Sequence, residues 1–259
     1  MSSVVSHLHS DGFFILQNCL SLSSCQEWAD RVSAAIEQSG SNGRLQAKVA
    51  DQPVTYGSRN LLSIFPDVVQ LLALPVIAEA CASILGTSYG AVRGLYFDKP
   101  PGLSWSLPWH QDLTIAVKEH QPTKQESVQE SIDGFSKPTV KAGVCHVEAP
   151  TWLLEKMLTV RIHIDAMCDH NGPVLVQRGS HRAGKLTHHQ EPCLSEITEI
   201  HCSGGSVMLM RPLLSHSSIA SMPDSNMHRR IVHLELSSVE ILPCGYSWQS
   251  FVPVAFSGV

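Results

Sequence analysis

From Ala91 to Leu236 the chain is a succession of short β-prone runs cut apart by proline, glycine and asparagine, and that punctuation leaves few folds open. The cleanest run is Leu158-Thr159-Val160-Arg161-Ile162-His163-Ile164-Asp165. Its alternation has the period of two that sends one set of side chains to each face of a sheet. Ala91–Phe97, Trp109–Val117, Val174–Val176, Ile197–Cys202, Val207–Met210 and Ile231–Leu236 also read as strands. Lys99-Pro100-Pro101-Gly102, Asn171-Gly172-Pro173 and Gly204-Gly205 read as the turns between them.

Residues 1–90 differ, and are expected to be mostly helical apart from a short strand at Phe13–Leu16 behind the Asp11-Gly12 turn. Ser21 or Ser23 caps a predicted helix whose apolar positions run through Trp28, Val32 and Ile36, and Ser39–Gly43 ends it in a loop. Further helices are predicted near Pro66–Leu72 and from Pro75 to Leu85, the latter stopped by Gly86. Helices followed by many short strands predict a mainly β fold with flanking helices packed outside a double sheet. The whole chain, 1–259, is expected to form one domain. Residues 118–150, rich in Gln, Glu, Ser, Lys and Gly, read either as a solvated insertion or as a lid over a site.

Composition narrows the function classes. Hydrophobic residues make up 43% of the chain, enough for a buried core, so a wholly disordered protein is excluded. A net charge of −5 with no run of Lys and Arg argues against nucleic-acid binding and offers no handle for the phosphates of coenzyme A. No apolar run approaches the roughly 18 residues of a membrane span. Met1-Ser2-Ser3-Val4 lacks the basic start of a secretory signal, so a cytoplasmic protein is expected. The eight cysteines contain no Cys-x-x-Cys pair and read as free thiols of a reducing compartment.

Chemistry enters at Pro108-Trp109-His110-Gln111-Asp112-Leu113. On a strand, His110 and Asp112 point the same way and supply two-thirds of a 2-His-1-carboxylate triad, the arrangement that leaves positions open on non-haem Fe(II). His163-Ile164-Asp165 is an equally well-formed rival, so the triplet alone does not decide. A third ligand is expected from His216, which follows the Val207–Met210 strand and Pro212. Arg229-Arg230 then opens the last strand. A guanidinium fork matches the far carboxylate of a metal-bound α-keto acid. Arg229 shares its strand face with Ile231, His233 and Glu235, a mixed set suited to a cavity wall. Arg230 shares its face with Val232, Leu234 and Leu236, an apolar set suited to packing. Arg229 is therefore the preferred anchor, with Arg230 the alternative.

Taken together, these residues resemble the phytanoyl-CoA dioxygenase family of Fe(II)/2-oxoglutarate-dependent oxygenases. The resemblance is carried by Asp11-Gly12-Phe13, by Phe97-Asp98-Lys99-Pro100-Pro101 leading into Trp109–Leu113, by Asn171–Val176 with Gly179-Ser180-His181, by Gly205 before His216, and by Arg229-Arg230. Arg178 stands where the family often has proline, and the step from His216 to the arginine pair is slightly long. The resemblance implies a double-stranded β-helix (jelly roll, cupin-like) with His110, Asp112 and His216 as iron ligands. It further implies that Gln111, Ser218 and the arginine contact 2-oxoglutarate, with O2 as second cosubstrate. Because Asp112 stands where related halogenases have a small residue, hydroxylation of a small molecule is expected, with release of succinate and CO2. In the family, the His163–Asp165 strand is framework. Arg161 is expected to form an ion pair near the cavity, and Lys99 and Trp105 to flank the approach to His110. The competing readings are a jelly-roll enzyme using a metal for non-oxidative chemistry and a non-catalytic metal- or ligand-binding protein.

Overall fold

The computed structural model describes residues 2–40, 43–49, 51–119, 134–136, 138–186 and 197–254. Its frame is a large antiparallel sheet in the order β1 (Phe13–Leu16), β12 (Val207–Met210), β9 (Met157–His163), β14 (Arg230–Ser237), β4 (Gly90–Asp98), β3 (Gln52–Ser58) and β2 (Arg44–Val49). A fifteenth strand, β15 (Val252–Pro253), also pairs with β4. Facing this sheet is a smaller one, β11 (Ile197–Ile200), β10 (Val174–Gln177), β13 (His216–Ser218) and β5 (Leu107–His110). A third, three-stranded sheet, β6 (Thr114–Val117), β8 (Val144–Glu148) and β7 (Thr139–Lys141), closes one side. This is the jelly roll expected.

Alternation along the central strands separates a packing face from a site face. Val160 and Ile162 of β9, Leu209 of β12, and Val232, Leu234 and Leu236 of β14 are buried in one apolar cluster with the helices. The helices are α1 (Ser2–Ser10), α2 (Leu22–Gln38), the single turn α3 (Leu61–Ile64) and α4 (Pro75–Leu85). Burying each of those aliphatic side chains contributes about 1.5–3 kcal/mol. Ser21 caps α2 by accepting from Ser24 N at 3.1 Å, while Cys25, Ala29, Val32 and Ile36 form its buried stripe. On the opposite face, Met208 and Met210 pack between the two sheets with Val174, Val176 and Ile200.

Three sequence expectations change. The N-terminal third is less helical than predicted: 44–58 forms the β2–β3 hairpin, whose polar, half-exposed residues give no clean two-residue period. The segment Pro66–Ala73 is a 3-10 rather than an α-helix. Trp109–Val117 is not one strand: the chain leaves the small sheet after His110 and enters the third sheet at Thr114. Of the possible lid, residues 120–133 and 137 lie outside the described residues. The described remainder supplies β7 and β8.

The Asn171-Gly172-Pro173 turn is a structural hub. Asn171 Oδ1 accepts from Cys168 N at 2.9 Å, and its Nδ2 donates to Ala166 O at 2.7 Å and His228 O at 3.1 Å. Gly172 has φ 75°, and a Cβ there would lie 2.5 Å from Ile219 O, so only glycine is accommodated.

Candidate metal centre

Pairing of β13 with β5 brings distant residues together: His216 stands directly across from His110, their ring centroids 4.3 Å apart. Asp112 lies just past the end of β5, where Asp112 N donates to Pro212 O at 3.0 Å and turns the carboxylate inward. One ligand atom from each of His110, Asp112 and His216 lies within 4.8 Å of the others. The two histidines are preset. His110 Nδ1 donates to Pro108 O at 2.8 Å and His216 Nδ1 to Leu214 O at 3.0 Å, which leaves each Nε2 as the unprotonated, ligating nitrogen.

Asp112 Oδ2 is buried without a hydrogen-bond partner, 3.8 Å from His216 Nε2. Burial raises the Asp112 carboxyl, but His216, His233, His110 and Arg161 outweigh it and hold the group down at about 2. Burial pushes His216 down to about 4 against the pull of Asp112, so at neutral pH it is a neutral base facing an anion. An orphaned carboxylate oxygen beside two imidazole lone pairs is a donor set suited to a divalent transition metal.

The triad opens on a cavity of about 780 Å³ between the sheets. The inward row of β14 and the residue before it, Arg229, Ile231, His233 and Glu235, forms one wall, as the alternation predicted. Arg229 is 5% exposed and donates Nη1 to Gly172 O at 2.7 Å, while its Nε has no partner among the described residues. Burial and the neighbouring Arg161 push it down to about 9, still cationic at neutral pH.

Arg230 points the other way. Its Nε and Nη2 grip Asp165 at 2.9 and 2.8 Å, outside the cavity, so it leaves the set of candidate anchors. That pairing also dissolves the rival triplet, because Asp165 is engaged there while His163 is fully buried and does not line the cavity. Ser218 lines the cavity and accepts from Lys99 Nζ at 3.3 Å. Gln111 reaches the cavity wall, but its amide is engaged: Nε2 donates to Gly184 O at 2.8 Å and Leu213 O at 2.6 Å, and Oε1 accepts from Leu186 N at 2.8 Å. Its evident work is to fasten the polypeptide behind the triad.

Two cations carry more weight than their sequence context suggested. Arg161 does not form the expected ion pair, because Asp165 belongs to Arg230. Its guanidinium is buried, lines the cavity and has no hydrogen bond among the described residues. Lys99 has no solvent exposure, donates to Ile219 O at 2.7 Å and lies 5.5 Å from the Trp105 ring centroid. Burial, Arg229 and Arg161 together push its amine down to about 7. A strand signature marks such residues only as inward-facing. That three cations converge follows from the register His233↔Arg161 and the closing of β4 onto β14.

Comparison with known proteins agrees with this fold. The structure resembles EctD from S. alaskensis (16% identity, TM-score 0.65, covering 92% of this chain and 76% of that one), also solved with bound Fe and with 2-oxoglutarate and 5-hydroxyectoine. It resembles the α-ketoglutarate-dependent epimerase SnoN from nogalamycin biosynthesis (13%, 0.63, 94% and 84%). It also resembles AviO1 from Streptomyces viridochromogenes Tue57 (18%, 0.60, 91% and 94%). No curated protein matches the sequence. The family model for phytanoyl-CoA dioxygenase matches residues 8–230, which span the triad, the Asn-Gly-Pro turn and the arginine pair, and the chain belongs to the phytanoyl-CoA dioxygenase family of Fe(II)/2-oxoglutarate-dependent oxygenases.

Proposed function

We propose that this protein is a non-haem Fe(II)/2-oxoglutarate-dependent dioxygenase that hydroxylates a small-molecule substrate. The observation that carries the reading is a His110–Asp112–His216 triad at the cavity wall, its histidines preset by backbone carbonyls, opening on the same cavity as the half-satisfied Arg229. Iron held by these residues would supply the oxidative chemistry of the family, in which 2-oxoglutarate and O2 give succinate and CO2 and one oxygen atom enters a substrate C–H bond.

The chain's own residues bind and orient. His110, Asp112 and His216 would hold the metal from the wall of the cavity they line. Arg229 takes the far carboxylate of 2-oxoglutarate through its fork, fixed in place by Gly172 O, with Ser218 and Lys99 beside it. Arg161, close enough to Asp112 and His216 to shift both, offsets negative charge next to the metal. Apolar side chains such as Leu95, Phe97 and Ile231 exclude water from the remaining wall.

The test is succinate formation by purified protein with Fe(II), ascorbate and 2-oxoglutarate, comparing wild type with His110→Ala and Asp112→Ala. Turnover by the wild type, lost in both variants, is the expected result. A wild-type protein that neither binds nor turns over 2-oxoglutarate when loaded with Fe(II) would overturn the reading.

A further inference from the structure

Arg229 and the inward row of β14 run over six residue steps from Arg229 to Glu235, about 20 Å at the rise of a strand, so the cavity has two well-separated ends. The triad faces the middle, beside His233 and its cross-strand neighbour Arg161. Arg229 and Lys99 mark one end. At the other, Glu235 stands across from Arg93 of β4 and pairs with it at 3.1 Å. Arg59, just after β3, and Lys141 of β7 line the same cavity. Three basic residues scattered across 82 positions thus meet at one place, which no reading of runs along the sequence could find.

Charge at this end does not balance. Its two described carboxylates are already matched, Glu235 to Arg93 and Glu148 to Lys185 at 2.8 Å. Lys141 Nζ has only a 3.3 Å donation to Thr114 Oγ1, and the Arg59 side chain has no hydrogen bond or ion pair among the described residues. Burial and the charge of Arg93 both disfavour the cationic form of Arg59, so its retention there carries a cost that a bound anion would relieve. Between this cationic end and the triad the wall carries Leu95, across from His233, and Leu113, while Tyr56 packs against Trp105 at a centroid distance of 5.0 Å nearer the Lys99 end.

We propose that the substrate is an organic carboxylate with an apolar body, bound through its carboxylate by Arg59 and Lys141, so that a C–H bond of its middle section meets the His110–Asp112–His216 centre. The binding site stands on its own; the statement about the C–H bond rests on the oxygenase reading.

The experiment measures binding by calorimetry and melting temperature, on the full chain loaded with Mn(II) and 2-oxoglutarate and again on the metal-free protein. The probes are octanoate and 3-phenylpropanoate, each beside its amide, and octyl phosphate. The acids are expected to bind about tenfold or more tightly than their amides, the factor one charge-assisted hydrogen bond supplies. Arg59→Gln and Lys141→Gln should each remove most of that preference, with Arg59→Lys restoring part of it, while 2-oxoglutarate affinity falls only in Arg229→Ala. Amides binding as tightly as acids, octyl phosphate outbinding octanoate, or Arg59→Gln weakening 2-oxoglutarate as much as the acids would each overturn the proposal. Failure of the wild type to bind 2-oxoglutarate would instead overturn the oxygenase reading, and the acid–amide comparison on metal-free protein would still decide this one.

Discussion

Replacing Arg229 with alanine is expected to weaken 2-oxoglutarate binding by about a hundredfold to ten-thousandfold, since hydrogen bonds to charged groups contribute about 1.5–3 kcal/mol each and a fork makes two. The structure explains why this arginine should show the full effect. It is 5% exposed, its Nη1 is held by Gly172 O at 2.7 Å, and its Nε is buried with no partner among the described residues. A carboxylate arriving there meets a preoriented cation in a water-poor site, where screening is weak. Arg230 makes a sharp control, being adjacent in sequence but locked on Asp165 at 2.8 and 2.9 Å on the other sheet face. Arg230→Ala should cost stability while leaving 2-oxoglutarate affinity within about threefold, as expected of a substitution remote from the ligand. Arg229→Lys should fall between, because an ammonium keeps the charge but loses the fork. The assay is anaerobic titration of 2-oxoglutarate into the Fe(II)-loaded proteins, followed by the visible charge-transfer band and by calorimetry, with melting curves as the folding control. Equal losses in the two alanine variants, or a larger loss in Arg230→Ala, would show that the anchor comes from elsewhere.

Two further outcomes test the frame around the site. Gly172→Ala places a Cβ 2.5 Å from Ile219 O at φ 75°, so a loss of about 2–4 kcal/mol is expected, seen as a melting temperature lower by roughly 5–15 °C. An unchanged melting temperature would mean that the turn relaxes freely. Lys99 gives a pH test: burial, Arg229 and Arg161 lower its amine from 10.5 to about 7 in the folded chain, so the unfolded chain binds more protons between those values. The group therefore adds stability as pH rises through that window. In urea unfolding, Lys99→Met should be most favoured relative to wild type near pH 7 and lose that relative advantage towards pH 10. Parallel pH profiles would refute the assignment.

Much of the architecture was legible because burial imposes a period. Alternation gives each residue of Leu158–His163 its face, and the same logic separates Arg229 from Arg230 in the sequence alone. The β2–β3 hairpin was illegible for the converse reason: a half-exposed edge pair needs no apolar alternation, so 44–58 carries none. His110 and Asp112 converge as expected, but by another route. The strand ends at His110, and it is the bond from Asp112 N to Pro212 O that aims the carboxylate.

By itself the sequence determined which residues are able to bind a metal and a keto acid, because those are matters of side-chain chemistry and of strand parity. It could not distinguish His110-Gln111-Asp112 from His163-Ile164-Asp165 by local pattern. That choice was made by tertiary pairing, which sets His216 across from His110 and ties Asp165 to Arg230. The same holds for Arg161, unpartnered among the described residues, and for the meeting of Arg59, Arg93 and Lys141. Whether a charge is free or neutralised depends on neighbours that the fold brings from far along the chain, and sequence separation carries no record of them.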